Sequence, residues 1–499
     1  MDLVDLGHFS DTPRRGDYDA VIVGSGPNGL AAGIELSRRG LSVLVVEAKA
    51  TPGGGMRTLE LTLPGFLHDV CSSIHPMGLA SPWFRSVEAE LARRGLRWLH
   101  PEFPVVHPLD GARAVVQERD VAATAARFGG RAGAFYRCLM EPFVGAAPAL
   151  FEALLSPPAW PRHPLAVARF GALALLPASE LVRLVCRGEE TRALAAGHAA
   201  HSVLSLEHPG TAAFALMLGI SAHAVGWPVA EGGSHAILRA MVSLLEDFGG
   251  EVVCGVPVRR MEDLPRARSY LFDLSPGQVS KIVGDRLPAG YRNALRRYRH
   301  GPGVYKLDWA LSEPIPWAAP EARRTACVHV GGRFEEIAAS ERSAWRGKPC
   351  DRPFLIVTQP TVVDARRAPR GKHTAWAYAH VPHGSEQDFT EAILDQVERF
   401  APGFRDCILG QHVLSPHGLE TYNANYIGGD VVGGAHLLTQ LYSRPVARFD
   451  PYATPARDIF LCSASTPPGA GVHGMCGANA AQSVLRRLGR VDAGGGLDS

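Results

Sequence analysis

No two of the nine cysteines lie close enough in sequence to form a redox dithiol or a zinc site. Cys71, Cys138, Cys186, Cys254, Cys327, Cys350, Cys407, Cys462 and Cys476 are scattered singly, and their number is odd. They read as reduced thiols of a cytoplasmic protein, and no metal is expected. Excess charge of one sign is also lacking: a formal net charge of +2 leaves no footprint for nucleic acid. No charge-free apolar run approaches the ~20 residues of a spanning helix. Met1 to Gly16 lack the apolar core of a secretory signal, so 1–16 is expected to be a mobile leader and 491–499 a tail. The chain should be soluble, or at most attached to a membrane surface. What is present is globular: 46% hydrophobic and 20% charged residues over 499 positions, enough for two or three domains.

The most informative stretch runs from Asp19 to Glu47. The apolar run Ala20–Val23 reads as a strand buried on both faces, and it enters the turn Gly24-Ser25-Gly26-Pro27-Asn28-Gly29 at the G-x-G-x-x-G spacing. Glycine at these places allows the tight turn, the approach of backbone N–H groups to a pyrophosphate, and close packing of helix on strand. The helix that follows directs its positive end at the phosphates. Gly40 is a stop, Leu41–Val46 a second strand, and Glu47 a carboxylate suited to ribose hydroxyls and unsuited to a 2′-phosphate. The motif leaves NAD and FAD both open.

Beyond it, Pro52-Gly53-Gly54-Gly55-Met56-Arg57 offers a free backbone and a cation as countercharge to a pyrophosphate. His68, Asp69 and His75 lie in a polar loop that fits either a site or backbone satisfaction. Residues 83–226 read as helices and long loops, with helices around Ala123–Arg137, Pro148–Leu155, Leu165–Leu176 and Ala193–Leu206. They are apolar enough for a core, a greasy cavity or a membrane interface. Ser234 is a candidate cap for a helix with one apolar stripe, and Glu251–Cys254 with Val256–Val258 reads as the next strands, with a backbone contact to adenine near Val258. Strand-like runs return at Gly303–Leu311, Pro353–Thr358 and Thr374–His380. Near the end, Ile459–Cys462 feeds a Pro/Gly turn and a helix whose free N–H groups could stabilise negative charge on a flavin ring.

Taken together, Gly24 to Glu47, the glycines after Pro52, Glu231-Gly232-Gly233 with its helix, and Thr466-Pro-Pro-Gly-Ala-Gly-Val-His-Gly474 resemble the phytoene desaturase (carotenoid desaturase) family of flavoproteins. Pro64-Gly-Phe-Leu-His-Asp69, Gly428-Gly-Asp430 with His436, and Arg444-Pro445 suggest the branch of pyridine nucleotide-disulfide oxidoreductase domain-containing protein 2. The resemblance implies an α/β, glutathione-reductase-like FAD-binding Rossmann domain, discontinuous in sequence (17–82, 227–275 and 425–490), with an α+β substrate domain (83–226 and 276–424). It implies FAD held by Gly24, Ser25, Gly26, Pro27, Asn28, Gly29, Glu47, Ala48, Gly54, Gly55, Met56, Arg57, Val258, Gly471, Val472, His473 and Gly474.

The implied activity is hydride removal from a hydrophobic, lipid-like or polyene substrate, with electrons leaving to oxygen or a quinone. A non-redox polyene isomerase, and a lipid carrier resembling GDP-dissociation inhibitors, are the alternatives. His473 is the first candidate for a catalytic side chain, followed by His75 and His436. Gly55 stands where many relatives carry arginine, and Arg57 is expected to take over that charge.

Overall fold

The computed structural model describes residues 9–157, 161–441 and 443–490. Its first sheet is parallel and centred on Asp17–Val23, flanked by Val43–Val46 on one side and Arg266–Phe272 on the other. Glu251–Val253 lies beyond Val43–Val46, and Ile459–Leu461 beyond Arg266–Phe272. The strands are continuous apolar runs because helices cover both faces. Alternation assigns the faces. Ala20, Ile22, Val43 and Val45 turn toward the helices Pro27–Ser37, His235–Asp247 and Met475–Arg487; Val21, Val23, Leu44 and Val46 turn the other way.

That other face is covered by Val279, Ile282, Val283, Tyr291 and Leu295 of the helices Pro276–Val283 and Ala289–Arg296. Residues 276–296, expected in the substrate domain, therefore belong to the layers of the dinucleotide domain. The strand expected over Val256–Val258 is absent: after Val253 the backbone leaves the sheet, with the Val256 N–H donating to the Glu47 carbonyl at 2.9 Å. The supposed leader is also more ordered than expected. The Arg14 N–H donates to Glu251 at 2.9 Å and the Cys254 N–H to the Ser10 carbonyl at 3.0 Å, so this segment lies along the sheet edge. Residues 1–8 and the tail 491–499 lie outside the described residues.

The second sheet has seven strands in the order Ile408–Leu414, Gly303–Leu311, His373–Val381, Leu355–Thr358, Cys327–Val330, Val105–Leu109 and Arg113–Gln117. Its last two strands form a hairpin inside the stretch expected to hold only helices and loops. The Asp110-Gly111 turn between two Val-rich runs is the sequence signal for it, and Gly111 has the positive φ such turns require. One face, with Leu307, Trp309, Ala377 and Val357, is apolar and packs on the helix Thr390–Phe400. The opposite face carries Lys306, Asp308, Trp376, Tyr378, His380, His329 and His107, which share it by cross-strand register.

Helices Val121–Phe128, Gly130–Gly145, Ala147–Leu155, Pro164–Ala174, Ala178–Val185, Glu189–Ala200 and Thr211–Ala224 fill the rest of 121–224. The helix expected over Ala123–Arg137 is two helices, broken where Gly129 takes φ +64°. Among the described residues no single helix is long and apolar enough to cross a membrane.

Candidate functional site

At the C-terminal end of the first sheet, Gly24 takes φ +102°, which lets the chain swing from the strand into the helix Pro27–Ser37. Glu47, at the end of the neighbouring strand, folds back onto this turn. Its Oε2 accepts from Ser25 Oγ at 2.5 Å and from the Ser25 N–H at 3.2 Å, and its Oε1 accepts from the Lys49 N–H at 2.9 Å. The second glycine run closes over the first: the Gly53 N–H donates to the Ser25 carbonyl at 3.2 Å, and a Cβ on Gly54 would stand 3.1 Å from Gly26 Cα. Gly26 and Gly54 thus meet backbone to backbone beside a helix N-terminus, an approach that a side chain at Gly54 would block.

Arg57 is buried beside the second glycine run and Glu47. Its Nη2 lies 2.6 Å from the Thr51 carbonyl and 3.5 Å from Glu47, its Nε reaches the Pro52 carbonyl, and its Nη1 meets Tyr422 Oη at 3.3 Å. Its charge therefore balances Glu47. The hydroxyl of Tyr426 stands 2.9 Å from where a Cβ on Gly55 would be, which accounts for the lack of a side chain there. Met56 is fully buried in the core, Ala48 is exposed just beyond Glu47, and Val258 is half-buried.

Gly471, Val472, His473 and Gly474 form the turn before the helix Met475–Arg487, whose N-cap is Gly474 at φ +67°. The Met475 N–H donates to His473 Nδ1 at 3.1 Å, so the neutral ring carries its proton on Nε2, which has no partner among the described residues. Burial lowers the His473 pKa to about 4. The structure brings the two other candidate histidines to this turn. A Cβ on Gly78 would lie 3.2 Å from the Val472 carbonyl and 3.7 Å from His75 Cβ; one on Gly469 would lie 3.9 Å from His436 Nε2. His75 Nε2 is 3.0 Å from Ser234 Oγ, and His436 Nδ1 donates to the Ser202 carbonyl at 3.0 Å. Burial holds both near pKa 4 as well. All three rings are neutral at physiological pH, suited to orienting and hydrogen bonding rather than to acid catalysis.

Asp69 is fully buried and joins the domains. Its carboxylate meets Arg367 Nη2 at 2.9 Å, Thr58 Oγ1 at 2.7 Å, Ser73 Oγ at 2.5 Å and the Ser234 N–H at 2.9 Å. Burial would raise its pKa, but Arg367 and these donors hold the carboxyl well below the usual range. It is a structural hub: it accepts from the Ser234 N–H at the start of the helix His235–Asp247, where Ser234 holds the N-cap position as expected while its Oγ donates to the Ser72 carbonyl instead of capping the helix. His68 stands 3.7 Å from Asp308, which is ion-paired with Lys306; the Lys306 ammonium also lies 4.9 Å from the centre of the Trp376 ring. Sequence reading missed Asp273, the Tyr422 and Tyr426 pair, and Lys306 with Asp308. A lysine and an aspartate two apart in a strand, otherwise apolar, were the available signal for the last pair.

The parallel sheet with its glycine turn, the second glycine run, and the mixed sheet laid over them define a glutathione-reductase-like, two-domain dinucleotide-binding protein. A family model described as an NAD(P)-binding Rossmann-like domain matches residues 22–91. The chain is similar to the rat pyridine nucleotide-disulfide oxidoreductase domain-containing protein 2, with 25% identity over 95% of this chain and 94% of that one. It is also similar to a lycopene-forming phytoene desaturase of Pseudescherichia vulneris, 27% identical over 51% of this chain and 55% of that one. Among solved structures, an oxidoreductase from Methanosarcina mazei shares the fold with a TM-score of 0.64 and 15% identity, over 94% of this chain and 99% of that one. The relatives bear out the resemblance carried by the motifs. The residues present fit a dinucleotide such as FAD: glycine backbones for the pyrophosphate, Glu47 for a ribose, and the His473 Nε2–H, unpartnered among the described residues, beside the start of the helix Met475–Arg487.

Proposed function

We propose that the protein is an FAD-dependent oxidoreductase that removes hydride from a hydrophobic substrate, with electrons leaving to oxygen or a quinone. The observation that carries this reading is the meeting of the glycine turn 24–29, the run 53–57 and the loop 471–474 at one end of the first sheet. FAD, when bound, would supply the hydride acceptor. The protein's own part is positional. The N-terminus of the helix Pro27–Ser37 and its glycines bind phosphate, and Glu47 binds ribose. The Met475 N–H is taken by His473 Nδ1, and the positive end of the helix Met475–Arg487 favours negative charge beside it. The apolar helix Thr211–Ala224, largely buried in the main core, suits an oily substrate.

A second reading is favoured by the polar face of the seven-stranded sheet, where Trp376 Nε1, His380 Nε2, Thr358 Oγ1 and Thr374 Oγ1 are buried without partners among the described residues. It is a substrate that is mainly apolar but bears a hydrogen-bonding group. Anaerobic bleaching of the flavin by hydrocarbon polyenes supports the first reading; bleaching only by long-chain alcohols or amines supports the second; bleaching by none contradicts both.

His473→Ala is expected to keep its flavin and to slow flavin reduction about tenfold, the worth of one buried hydrogen-bond donor. Stopped-flow absorbance under nitrogen measures it, and an unchanged rate excludes the role. Since burial lowers all three histidine pKa values to about 4, each ring is neutral above roughly pH 5, and reduction at saturating flavin should show no histidine limb between about pH 5.5 and pH 8.

A further inference from the structure

We infer that Asp273 completes the phosphate seat as a neutral acid: its carboxyl accepts a hydrogen bond from the first helix and donates its own proton to the dinucleotide phosphate, so that flavin binding takes up a proton. The inference rests on the proposal that FAD occupies this cleft.

Asp273 follows the strand Arg266–Phe272, whose Phe272 is in register with Val23, so it stands beside Gly24 at the mouth of the turn. Its backbone is fixed on both sides: its N–H donates to the Val23 carbonyl at 2.8 Å, and its carbonyl accepts from Asn425 Nδ2 at 3.2 Å. The side chain then reaches over the start of the helix Pro27–Ser37, where Oδ2 accepts from the Gly29 N–H at 3.0 Å. A Cβ on Gly26 would lie 2.7 Å from that oxygen. The glycine that lets a phosphate approach also admits this carboxyl, and the two groups address the same helix end.

The groups facing Asp273 leave its charge uncompensated. Glu47 comes from the neighbouring strand end, Cys462 from beyond Ile459–Leu461, and Cys476 from the first turn of Met475–Arg487; the remaining contacts are backbone amides of the turn. The nearby cation, Arg57, is engaged with Glu47. Burial, followed by repulsion from Glu47, raises the Asp273 pKa to about 7, against the pull of the Gly29 and Gly26 amides. An ionised Asp273 would repel a pyrophosphate at contact distance. A protonated one keeps the Gly29 bond through one oxygen and offers O–H to the phosphate through the other, as a carboxylate plus one solvent proton becomes a carboxylic acid.

The test is FAD affinity of the apoprotein, read by quenching of flavin fluorescence. The wild type should hold a constant Kd up to about pH 6.5 and then weaken by up to about tenfold per pH unit above about pH 7. Asp273→Asn, whose amide accepts from Gly29 and donates to phosphate at every pH, should show a flat Kd and bind more tightly than the wild type at about pH 9. Calorimetry in buffers of different ionisation enthalpy should find close to one proton taken up per flavin at about pH 8 in the wild type. That measurement decides the matter alone if Asp273→Asn does not fold. An equal wild-type Kd at both ends of the range, no proton uptake, or a slope that persists in Asp273→Asn overturns the inference. Failure to bind flavin at any pH overturns instead the reading of the cofactor.

Discussion

Asp69→Ala is expected to destabilise the protein by about 3–5 kcal/mol, the cost of leaving a buried guanidinium without its carboxylate. Arg367 is fully buried; its Nε and Nη2 also reach the Leu67 carbonyl and its Nη1 has no partner among the described residues, so Asp69 is the carboxylate that neutralises it. The same substitution removes the acceptor for the Ser234 N–H at the start of His235–Asp247, and leaves Thr58 and Ser73 without their partner. Urea titration followed by circular dichroism measures it; a loss below about 1 kcal/mol, the scale of an ordinary surface pair, contradicts the account. The carboxyl is held below its ordinary pKa in the folded state. Its contribution is therefore present above about pH 4, the unfolded value, and is lost as the pH falls further.

Gly26→Val is expected to act on the cofactor rather than on the fold. Its Cβ would stand 2.7 Å from Asp273 Oδ2, at the helix start where the proposed flavin phosphate would meet the backbone. Two charge-assisted hydrogen bonds at about 1.5 kcal/mol each correspond to roughly a 100-fold loss of flavin affinity. Gly26 has φ −66°, which valine tolerates, so circular dichroism should be close to wild type while the protein purifies without yellow colour. Wild-type flavin content in a folded Gly26→Val protein contradicts the placement of the phosphates.

The two substitutions separate what sequence could show from what it could not. Gly24 to Glu47 was legible because strand, turn, helix and acid are consecutive, and each residue type is demanded by local backbone geometry. The helix after Ser234 and the strand-turn-helix from Ile459 to Arg487 were legible for the same reason. Asp273 was not. Its meaning comes from the strand Arg266–Phe272 lying beside Asp17–Val23, a neighbour nearly 250 positions away, as in the Gly29–Asp273 separation of 244. Residues 276–296 were expected in the substrate domain, and only their packing on the parallel sheet sets them with the dinucleotide domain, since a stretch of sequence does not say which sheet it will cover. Arg57 was expected to face the pyrophosphate because it follows the glycines. The carbonyls of Thr51 and Pro52 and the carboxylate of Glu47 claim its donors instead, a choice made by loop geometry. The histidines could be named but not their ionisation, since their low pKa values come from burial.

The most direct test of the central claim is a parallel titration of the apoprotein with FAD, NAD+ and NADP+, followed by difference absorbance. The account predicts one FAD per chain at about neutral pH, held with at least about tenfold preference over NAD+, and NADP+ bound most weakly because Glu47 opposes a 2′-phosphate. A folded protein that takes NADP+ in preference to FAD, or that takes no dinucleotide, would contradict it.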